Sequence, residues 1–519
     1  MENGFMGLLK GTLDNRKQAT ENGAVGFNTT GKKLLDMNFA VSSLRQASDE
    51  EIRDMFTKVY FEDKLLATKW LFFAGDVRQG LGERRLFRIC FSTLVRIDPK
   101  TMVNLLKLIP EYTRWDNLTR IVTEESNKDI VDEVFNIVKN QIAEDINNFE
   151  ENKPISLLAK WMPSINTSSY ETKKLAEKYA RALDLKPPTY RKMLTKLRKY
   201  LKVVEINMSK GEWDKIDYSA VPSRANLIYK DAFMKHDEDR RTEYLESLSK
   251  GETKINAGTL FPHDIIAKYL NINFSYCGYT INDYDEAVEQ LWKALPDYVK
   301  GQGNTICVSD GSGSMYSNGI SCNISCAHVA LALSIYFSER SFGYYKDKFI
   351  TFSKNPQYVD LSNCKTLREK LTLACKYNKY ANTNIERVFM MILKTAIDNN
   401  LDQSELPANV LILSDMEFDD CAESSNGYVC NDNTLFENIA YTYAQYGYKM
   451  PRLVFWNIYS RTGTIPVKEN DMGVALVSGF STTICDMVLS SETDPYKVLV
   501  NKLNSERYQP VEDAIRSIN

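Results

Sequence analysis

The chain has 519 residues, of which 43% are hydrophobic and 26% charged, a composition typical of a folded globular protein that excludes a disordered or collagen-like chain. At this length, two or more domains are expected. The formal net charge of −3 hides an excess of bases between residues 151 and 200, where 12 Lys and Arg stand against 4 Asp and Glu. A polyanionic partner is therefore expected to bind that part of the chain.

The sequence carries no recognisable targeting signal. Its first residues lack the basic and apolar regions of a signal peptide, and the longest apolar stretch, 329–337, is too short to cross a membrane. We therefore expect a cytoplasmic protein that binds no membrane and whose ten cysteines are reduced. With three histidines and no C-x-x-C pair, a Cys/His zinc site is not expected.

From Ser48 to about residue 299, apolar residues recur with the helical period and short turns separate the segments. Ser48 and Glu51 form a helix-start pattern, and strand-like alternation is almost absent. Residues 1–300 are therefore predicted to be an all-α domain of HEAT-like helix pairs, arranged as a solenoid or a ring. After Ser48, further helices are predicted at 64–74, 83–96, 127–148, 171–183, 189–201, 224–235, 238–249 and 283–295.

Around residue 300 the pattern changes to short apolar strands that alternate with helices. Continuous apolar strands of this kind predict a parallel sheet covered on both faces. Residues 301–519 are therefore predicted to be one doubly wound α/β domain. Its strands are predicted at 305–309, 348–352, 409–413, 452–459 and 474–478, and its helices at 322–340, 384–399 and 435–446.

Oxygen-bearing side chains follow the ends of these predicted strands, where ligands bind in such sheets. Asp310, Ser312 and Ser314 follow the first strand, Thr383 precedes a helix, and Asp415 follows the strand at 409–413. Hydroxyl and carboxylate oxygens suit Mg²⁺ better than Zn²⁺ or Cu²⁺, and Mn²⁺ or Ca²⁺ are alternatives. Neutral hydroxyls leave such an ion under-neutralised, so an outside carboxylate or phosphate is expected to join it.

The pattern D-x-S-x-S, followed by a Thr and then an Asp, resembles the metal-ion-dependent adhesion site of von Willebrand factor A domains. The resemblance implies that Ser312 and Ser314 bind the ion directly and Thr383 directly or through water. It implies that Asp310 and Asp415 act mainly through waters. For D-x-S-x-S alone, the alternative is an ordinary Gly/Ser turn. Glu417, just after Asp415, could help to hold a cation or belong to a solvated acidic loop.

The predicted helix at 189–201 is strongly basic. Lys192, Lys196 and Lys199 share one face, and Arg191 and Arg198 lie on an adjacent face. A phosphate backbone would meet a row of cations here, whereas the alternative is a solvated charged surface.

A second basic group contains Arg84 and Arg88, one helical turn apart. They could flank a single phosphate, or they could form structural salt bridges with Glu83 and Asp76.

Several short motifs resemble the family known as domain of unknown function 2828. The motifs are E-N-G-A-V-G at 21–26, G-L-G-E-R-R at 80–85, V-P-S-R-A-N at 221–226, G-T-L-F-P-H at 258–263, T-N at 383–384 and S-D-M-E-F-D at 414–419. That family is similar in architecture to the Ro autoantigen, whose TROVE module is a ring of helical repeats beside a von Willebrand A domain. The resemblance implies binding of structured RNA on the basic outer surface and of single-stranded ends in the hole.

Together these features predict a non-enzymatic, Ro-like RNA-binding protein. The alternative is a metal-dependent scaffold or ATPase adaptor that captures a carboxylate of an acidic protein partner. No catalytic constellation is visible, because Cys326 and His328 lie two residues apart on a predicted helix and point to different faces.

Overall fold

The computed structural model describes residues 17–20, 25–124, 127–273, 278–299, 304–317, 319–321, 324–352, 356–377, 385–418, 435–465, 474–488, 490, 492 and 494–517. These residues divide between two units. We call residues 1–48 with 257–502 the α/β unit, and residues 49–256 with 503–519 the helical unit. No helix among the described residues is long and apolar enough to span a membrane.

Eight helices of the helical unit lie where the 3.6-residue periodicity predicts them, with small differences at their ends, and shorter helices that the sequence did not predict lie between them. The first begins at Asp49, where three acidic residues occupy the first turn, and it buries Ile52, Phe56 and Val59. The longest runs over Lys128–Glu150 and is capped by the Asn127 side chain. The α-helices of the unit are Asp49–Glu62, Lys64–Gly75, Arg84–Ile97, Pro99–Leu105, Ile109–Tyr112, Trp115–Thr119, Ile121–Glu124, Lys128–Glu150, Leu158–Trp161, Tyr170–Ala182, Pro187–Tyr200, Val204–Lys210, Ser223–His236, Glu238–Ser249 and Gln509–Arg516.

The α/β unit contains a six-stranded sheet in the order β12-β11-β10-β5-β8-β9. Five strands are parallel, as the sequence predicts, but β9 pairs antiparallel with β8, which makes the sheet mixed. The short link between β8 and β9 explains the difference, because a parallel pair needs a long crossover connection. The strands are β5 (Thr305–Asp310), β8 (Lys348–Phe352), β9 (Gln357–Asp360), β10 (Asn409–Ser414), β11 (Arg452–Asn457) and β12 (Val474–Ser478).

Six further strands form three two-stranded sheets that the sequence did not predict. Two of them lie within residues 1–300, the region predicted to be all helical, where apolar alternation is too short to stand out. The third lies between β5 and the helix Cys326–Arg340. The pairs are β1 (Lys17–Ala19) with β2 (Val25–Phe27), β3 (Leu270–Asn273) with β4 (Gly278–Ile281), and β6 (Gly319–Ser321) with β7 (Ile324–Ser325).

The helix Cys326–Arg340 packs against β5, β8 and β10 and forms the centre of the α/β core. Residues 326–338 of this helix are all buried. The apolar stretch noted in the sequence is therefore a helix surrounded on every side, as expected for a helix that is apolar around its whole circumference. The other α-helices of the unit are Lys33–Phe39, Val41–Leu44, Pro262–Ile266, Glu286–Lys293, Gly313–Ser317, Leu367–Tyr377, Glu386–Asp398, Leu435–Gln445, Cys485–Val488 and Pro495–Leu503.

The two units do not follow the predicted domain boundary between residues 300 and 301. The N-terminal segment packs in the α/β unit, where the Gln18 amide donates to the Thr462 carbonyl at 2.6 Å. The C-terminal helix packs in the helical unit, where the buried Lys69 ammonium pairs with Glu512. The described residues before Ser48 thus pack with the C-terminal half of the chain, and those after Lys502 pack with residues 49–256. Contacts between residues so distant in the chain carry no local sequence signal.

Candidate functional site

Two neighbouring strands bring the predicted metal ligands together. β5 and β10 pair in parallel, with Ser309 opposite Leu413, so the residues that follow them emerge at the same edge of the sheet. Asp310 ends β5 and Ser414 ends β10, and the Ser414 hydroxyl donates to Asp310 Oδ2 at 2.6 Å. Both side chains are buried.

The loop after β5 carries the two serines toward Asp415. The Ser312 N–H donates to Asp310 Oδ1 at 2.9 Å, which closes the loop on its own first residue. The hydroxyls of Ser312 and Ser314 lie 2.9 Å apart, and Ser314 hydrogen-bonds to Asp415. Asp310, Ser312, Ser314 and Asp415 therefore form one cluster, which we call the oxygen cluster. Thr383 lies outside the described residues.

Burial makes both carboxyl groups of the oxygen cluster harder to ionise. Burial, and then the charge of Asp415, raises the pKa of Asp310 above its usual range. Burial also raises the pKa of Asp415, against the lowering effects of the Ser314 hydrogen bond and the Arg461 charge. Two carboxylates in a water-poor site are unfavourable unless a positive charge lies between them.

One oxygen of the cluster lacks a hydrogen-bond donor. Asp415 Oδ2 is buried and accepts no hydrogen bond from the described residues, although the Arg461 guanidinium lies 3.6 Å away. The backbone turns sharply at the next residue, since Met416 has a φ of 65° in the left-handed region. This less favourable conformation follows directly after a candidate ligand.

Glu417 has a structural role at this edge of the sheet. Its Oε1 accepts the N–H groups of Arg461 and Thr462 at 2.8 and 2.9 Å and the Thr462 hydroxyl at 3.1 Å. It therefore anchors the loop after β11 and does not belong to a solvated acidic loop. The same loop carries Arg461, a neighbour of Asp415 that sequence reasoning missed because nothing in the local sequence marks it.

The described residues contain no group of three or more His, Cys, Asp or Glu side chains placed to hold a metal ion. The oxygen cluster contributes two carboxylates and two hydroxyls, so it is a hydroxyl-rich donor set. Such a set fits a hard cation such as Mg²⁺, which keeps several waters, and fits poorly with a soft metal.

The predicted basic helix spans Pro187–Tyr200, and we call it the cationic helix. It buries Tyr190, Leu194 and Leu197 in the core of the helical unit. The opposite face exposes four of the five predicted cations, and the Lys196 ammonium lies 4.2 Å from the centre of the Phe149 ring. The exposed cations are Arg191, Lys192, Lys196 and Lys199.

Arg198 does not belong to this exposed surface. Its guanidinium donates to the carbonyls of Ala159 and Met162 at 2.8 and 2.7 Å and to the Ser164 hydroxyl at 2.8 Å. Burial lowers its pKa, with Tyr190 opposing the effect. Contrary to the sequence prediction, Arg198 ties the 159–164 segment to the cationic helix, because helical spacing alone does not reveal which neighbouring segment covers a residue.

Arg84 and Arg88 lie together, one turn apart, but their partners are not Glu83 and Asp76. Both guanidiniums contact Asp116 Oδ2, at 3.0 and 3.2 Å, and Arg88 Nε also donates to Asn117 Oδ1 at 2.7 Å. Asp76 instead accepts from Arg507 Nε at 2.9 Å. The pairing joins residues about 30 positions apart, which the sequence could not indicate.

Two family models match the chain. The model described as domain of unknown function DUF2828 matches residues 113–305, and the model described as domain of unknown function DUF7788 matches residues 304–515. The first match confirms the membership inferred from the short motifs.

A curated relative and a solved structure are also similar to the chain. Uncharacterized protein L728 of Acanthamoeba polyphaga mimivirus is 30% identical over 529 aligned positions, which cover 95% of this chain and 88% of the relative. The crystal structure of the Deinococcus radiodurans RO (RSR) protein matches with a TM-score of 0.46 and 12% identity, over 92% of this chain and 99% of that chain. A structural likeness at this level carries no functional argument. By its full-length similarity to L728 and its DUF2828 match, the chain belongs to the DUF2828 family.

Proposed function

We propose that the protein binds RNA through exposed basic side chains of its helical unit and that it is not an enzyme. The observation that carries the proposal is a cleft of about 660 Å³ along the cationic helix. Its wall includes no Asp or Glu among the described residues, and the four exposed cations of the helix line it beside the structurally bound Arg198. A surface with one sign of charge attracts a polyanion from a distance and holds it through several weak phosphate contacts.

A second cleft, of about 290 Å³, extends this surface within the helical unit. Lys199 lines both clefts, and Lys202, Lys210 and Lys215 line the second one. Glu212 and Asp217 also line it, and Glu212 pairs with Lys215 at 3.0 Å. The positive charge is therefore strongest along the cationic helix and weaker beyond Lys199. RNA is the favoured polyanion because the short sequence motifs resemble the DUF2828 family, which is similar in architecture to the Ro autoantigen.

Two residues that could serve catalysis are engaged in the core instead. Burial raises the pKa of the Cys326 thiol well above its usual range, and the neighbouring Asp415 and Asp310 raise it further. His328 Nδ1 accepts the Ser325 N–H at 3.1 Å, so its Nε2 donates to the Leu270 carbonyl at 3.0 Å. The buried thiol and the histidine with both nitrogens occupied therefore do not serve as a nucleophile and its base.

The RNA proposal is tested by reversing the exposed charges and measuring affinity for single-stranded and hairpin RNA across salt concentrations. Because each phosphate contact contributes about 0.7 to the slope of log K against log salt for single strands, we expect the slope to fall by about 3. The affinity should fall by at least roughly 100-fold at low salt. Arg198 is left intact because it is structural. The test variant combines Arg191→Glu, Lys192→Glu, Lys196→Glu and Lys199→Glu.

A matched control changes the same amount of charge at exposed lysines elsewhere in the helical unit. The control should retain most of the affinity, because its side chains line neither cleft. Equal RNA binding by the wild type, the test variant and the control would remove the cationic helix from the proposal. The control combines Lys107→Glu, Lys128→Glu, Lys235→Glu and Lys254→Glu, all at exposed positions.

We also infer a second activity, metal-dependent capture of an acidic protein by the α/β unit as a von Willebrand factor A domain. The support is the oxygen cluster at the adjacent ends of β5 and β10, with its two buried carboxyls and the Asp415 oxygen that accepts no hydrogen bond from the described residues. Ser312, Ser314, Asp310 and Asp415 would hold Mg²⁺. When bound, the ion would supply residual positive charge for a partner's Asp or Glu.

The metal inference is tested by thermal unfolding with Mg²⁺, Mn²⁺, Ca²⁺ or EDTA. A cation that binds only the folded protein should stabilise it by about 2.7 kcal/mol at 100 times its dissociation constant. Ser312→Ala should remove this gain, whereas Ser334→Ala, which deletes a buried hydroxyl bonded to the Ala330 carbonyl, should retain it. The same metal response in both variants would contradict the assignment. Pull-down with and without chelator then tests protein capture.

A further inference from the structure

A cavity of about 740 Å³ in the helical unit is lined by six arginines. Three of them, Arg84, Arg85 and Arg88, come from the first half of one helix. Among the described lining residues, Asp49 is the one acidic residue. The cavity shares no lining residue with the cleft along the cationic helix. The arginines are Arg53, Arg84, Arg85, Arg88, Arg96 and Arg120.

Local carboxylates compensate only some of these charges. Arg85 pairs with Asp49, while Arg84 and Arg88 share Asp116. Asp116 is also bound by Arg114, so one carboxylate serves three guanidiniums. Within the described part of the chain, no carboxylate lies within 4.0 Å of a guanidinium nitrogen of Arg53, Arg96 or Arg120.

Two buried donors at the same cavity lack acceptors. Arg53 Nε and Asn117 Nδ2 make no hydrogen bond to any described residue, and Asn117 is only 5% exposed. The orientation of the Asn117 amide is fixed, because Arg88 Nε can only donate and therefore binds Oδ1. A buried N–H without an acceptor is costly, so this wall of the cavity holds donors whose hydrogen bonds the described residues leave incomplete.

We propose that this cavity binds the terminal phosphate of a nucleotide-sized ligand. A phosphate monoester carries a charge of about −1.5 to −2 at pH 7 and several acceptor oxygens, which suits uncompensated guanidiniums better than the single charge of a carboxylate. The volume lies within the range of small-ligand pockets and far exceeds the needs of a phosphate ion alone. Ile89, Phe91, Val95 and Ile121 supply an apolar side for the remainder of the ligand.

The terminal phosphate could belong to either of two ligands, a free nucleotide or the 5′ end of an RNA. A free nucleotide would make this a small-molecule site that goes beyond RNA binding. The phosphorylated 5′ end of an RNA would instead deepen the proposed function, and that source alone rests on it.

The proposal is tested on the full chain with pyrophosphate, ADP, and one oligoribonucleotide carrying either a 5′-phosphate or a 5′-hydroxyl. Binding is measured by calorimetry and by competition against a fluorescent ADP. Arg96→Gln and Arg120→Gln should each weaken binding of ADP or of the 5′-phosphorylated oligonucleotide by roughly 10- to 100-fold, because each removes a charge-assisted hydrogen bond. Both residues are exposed, so these variants should remain folded. The matched control, Arg181→Gln, alters an exposed arginine of the same unit outside the cavity.

Each outcome has a defined meaning. Saturable ADP or pyrophosphate binding that Arg96→Gln or Arg120→Gln weakens supports the free-nucleotide source. A preference for the 5′-phosphorylated oligonucleotide that the same variants abolish supports the RNA-end source. If none of the probes binds, or if these variants bind as the wild type does, the phosphate pocket is wrong. RNA affinity that depends only on the cationic helix would then leave the proposed function intact.

Discussion

One group of charged side chains in each unit lies in an environment opposite to that of the other. In the α/β unit, Asp310, Asp415 and Glu417 are at most 1% exposed, and each is held by hydrogen bonds from nearby groups. In the helical unit, the cationic helix exposes four bases, of which Lys196 lies over an aromatic ring. Burying a charge costs desolvation free energy and is tolerated only with fixed hydrogen-bond partners. Exposed charges cost little free energy, and several of them can attract one polyanion together. The buried acids of the α/β unit thus hold one fixed geometry, whereas the exposed bases of the cationic helix form a charged surface that several phosphates could contact.

The largest expected effect comes from removing a buried acid of the α/β unit. In Glu417→Ala, two backbone N–H groups and one hydroxyl lose their acceptor, at about 1–3 kcal/mol each. We expect the free energy of unfolding to fall by roughly 3–5 kcal/mol, as measured by chemical denaturation. Glu417→Gln keeps a carbonyl acceptor and should lose less. If the alanine variant is as stable as wild type, Glu417 is not the anchor of the loop after β11.

An intermediate loss of stability is expected for one of two neighbouring bases on the cationic helix and not for the other. Arg198→Met leaves the carbonyls of Ala159 and Met162 without their donor, so we expect a loss of about 2–3 kcal/mol. Lys199→Met, at an exposed position, should stay within about 0.5 kcal/mol of wild type. Denaturation curves of both variants test the contrast. Equal losses would mean that burial does not distinguish the two residues.

The smallest effect concerns His328, a base buried in the α/β unit. Burial lowers its pKa below the ordinary value of 6.5, against a hydrogen bond to Leu270 that raises it. The unfolded chain therefore takes up a proton at higher pH than the folded chain. The contribution of neutral His328 to the free energy of unfolding is therefore fully present above pH 6.5. It decreases as the pH falls below that value, by at most about 1.4 kcal/mol per pH unit. His328→Gln lacks this titration, so the stability difference between the two proteins should shrink from pH 7.5 to pH 5. An unchanged difference would contradict the pKa shift.

Most regular elements were predictable because their signals are local. Eight helices of the helical unit and five of the six main strands lie close to the predicted bounds, since apolar period and capping residues are read from neighbouring positions. β9 and the three small sheets were not predictable, because short strands of two to four residues leave little alternation. The metal assignment and the RNA contacts stay predictions.

The sequence predicted only some of the residues at the oxygen cluster. The sequence pointed to Asp310, Ser312, Ser314 and Asp415 because strand ends of a parallel sheet share one edge. It did not point to Arg461 or to the role of Glu417, because both depend on where the loop after β11 returns.

By itself, the sequence determined where the longer helices and five of the six main strands lie, where the basic and hydroxyl-rich segments lie, and to which family the chain belongs. Only the tertiary structure decided which charges remain exposed and which are bound. Arg198 and Lys199 are adjacent in the chain, yet one is bound to the 159–164 segment and the other faces solvent. Arg53, Arg96 and Arg120 line one cavity although long stretches of chain separate them. The physical reason is that burial and pairing depend on distances through space, which separation along the chain does not fix.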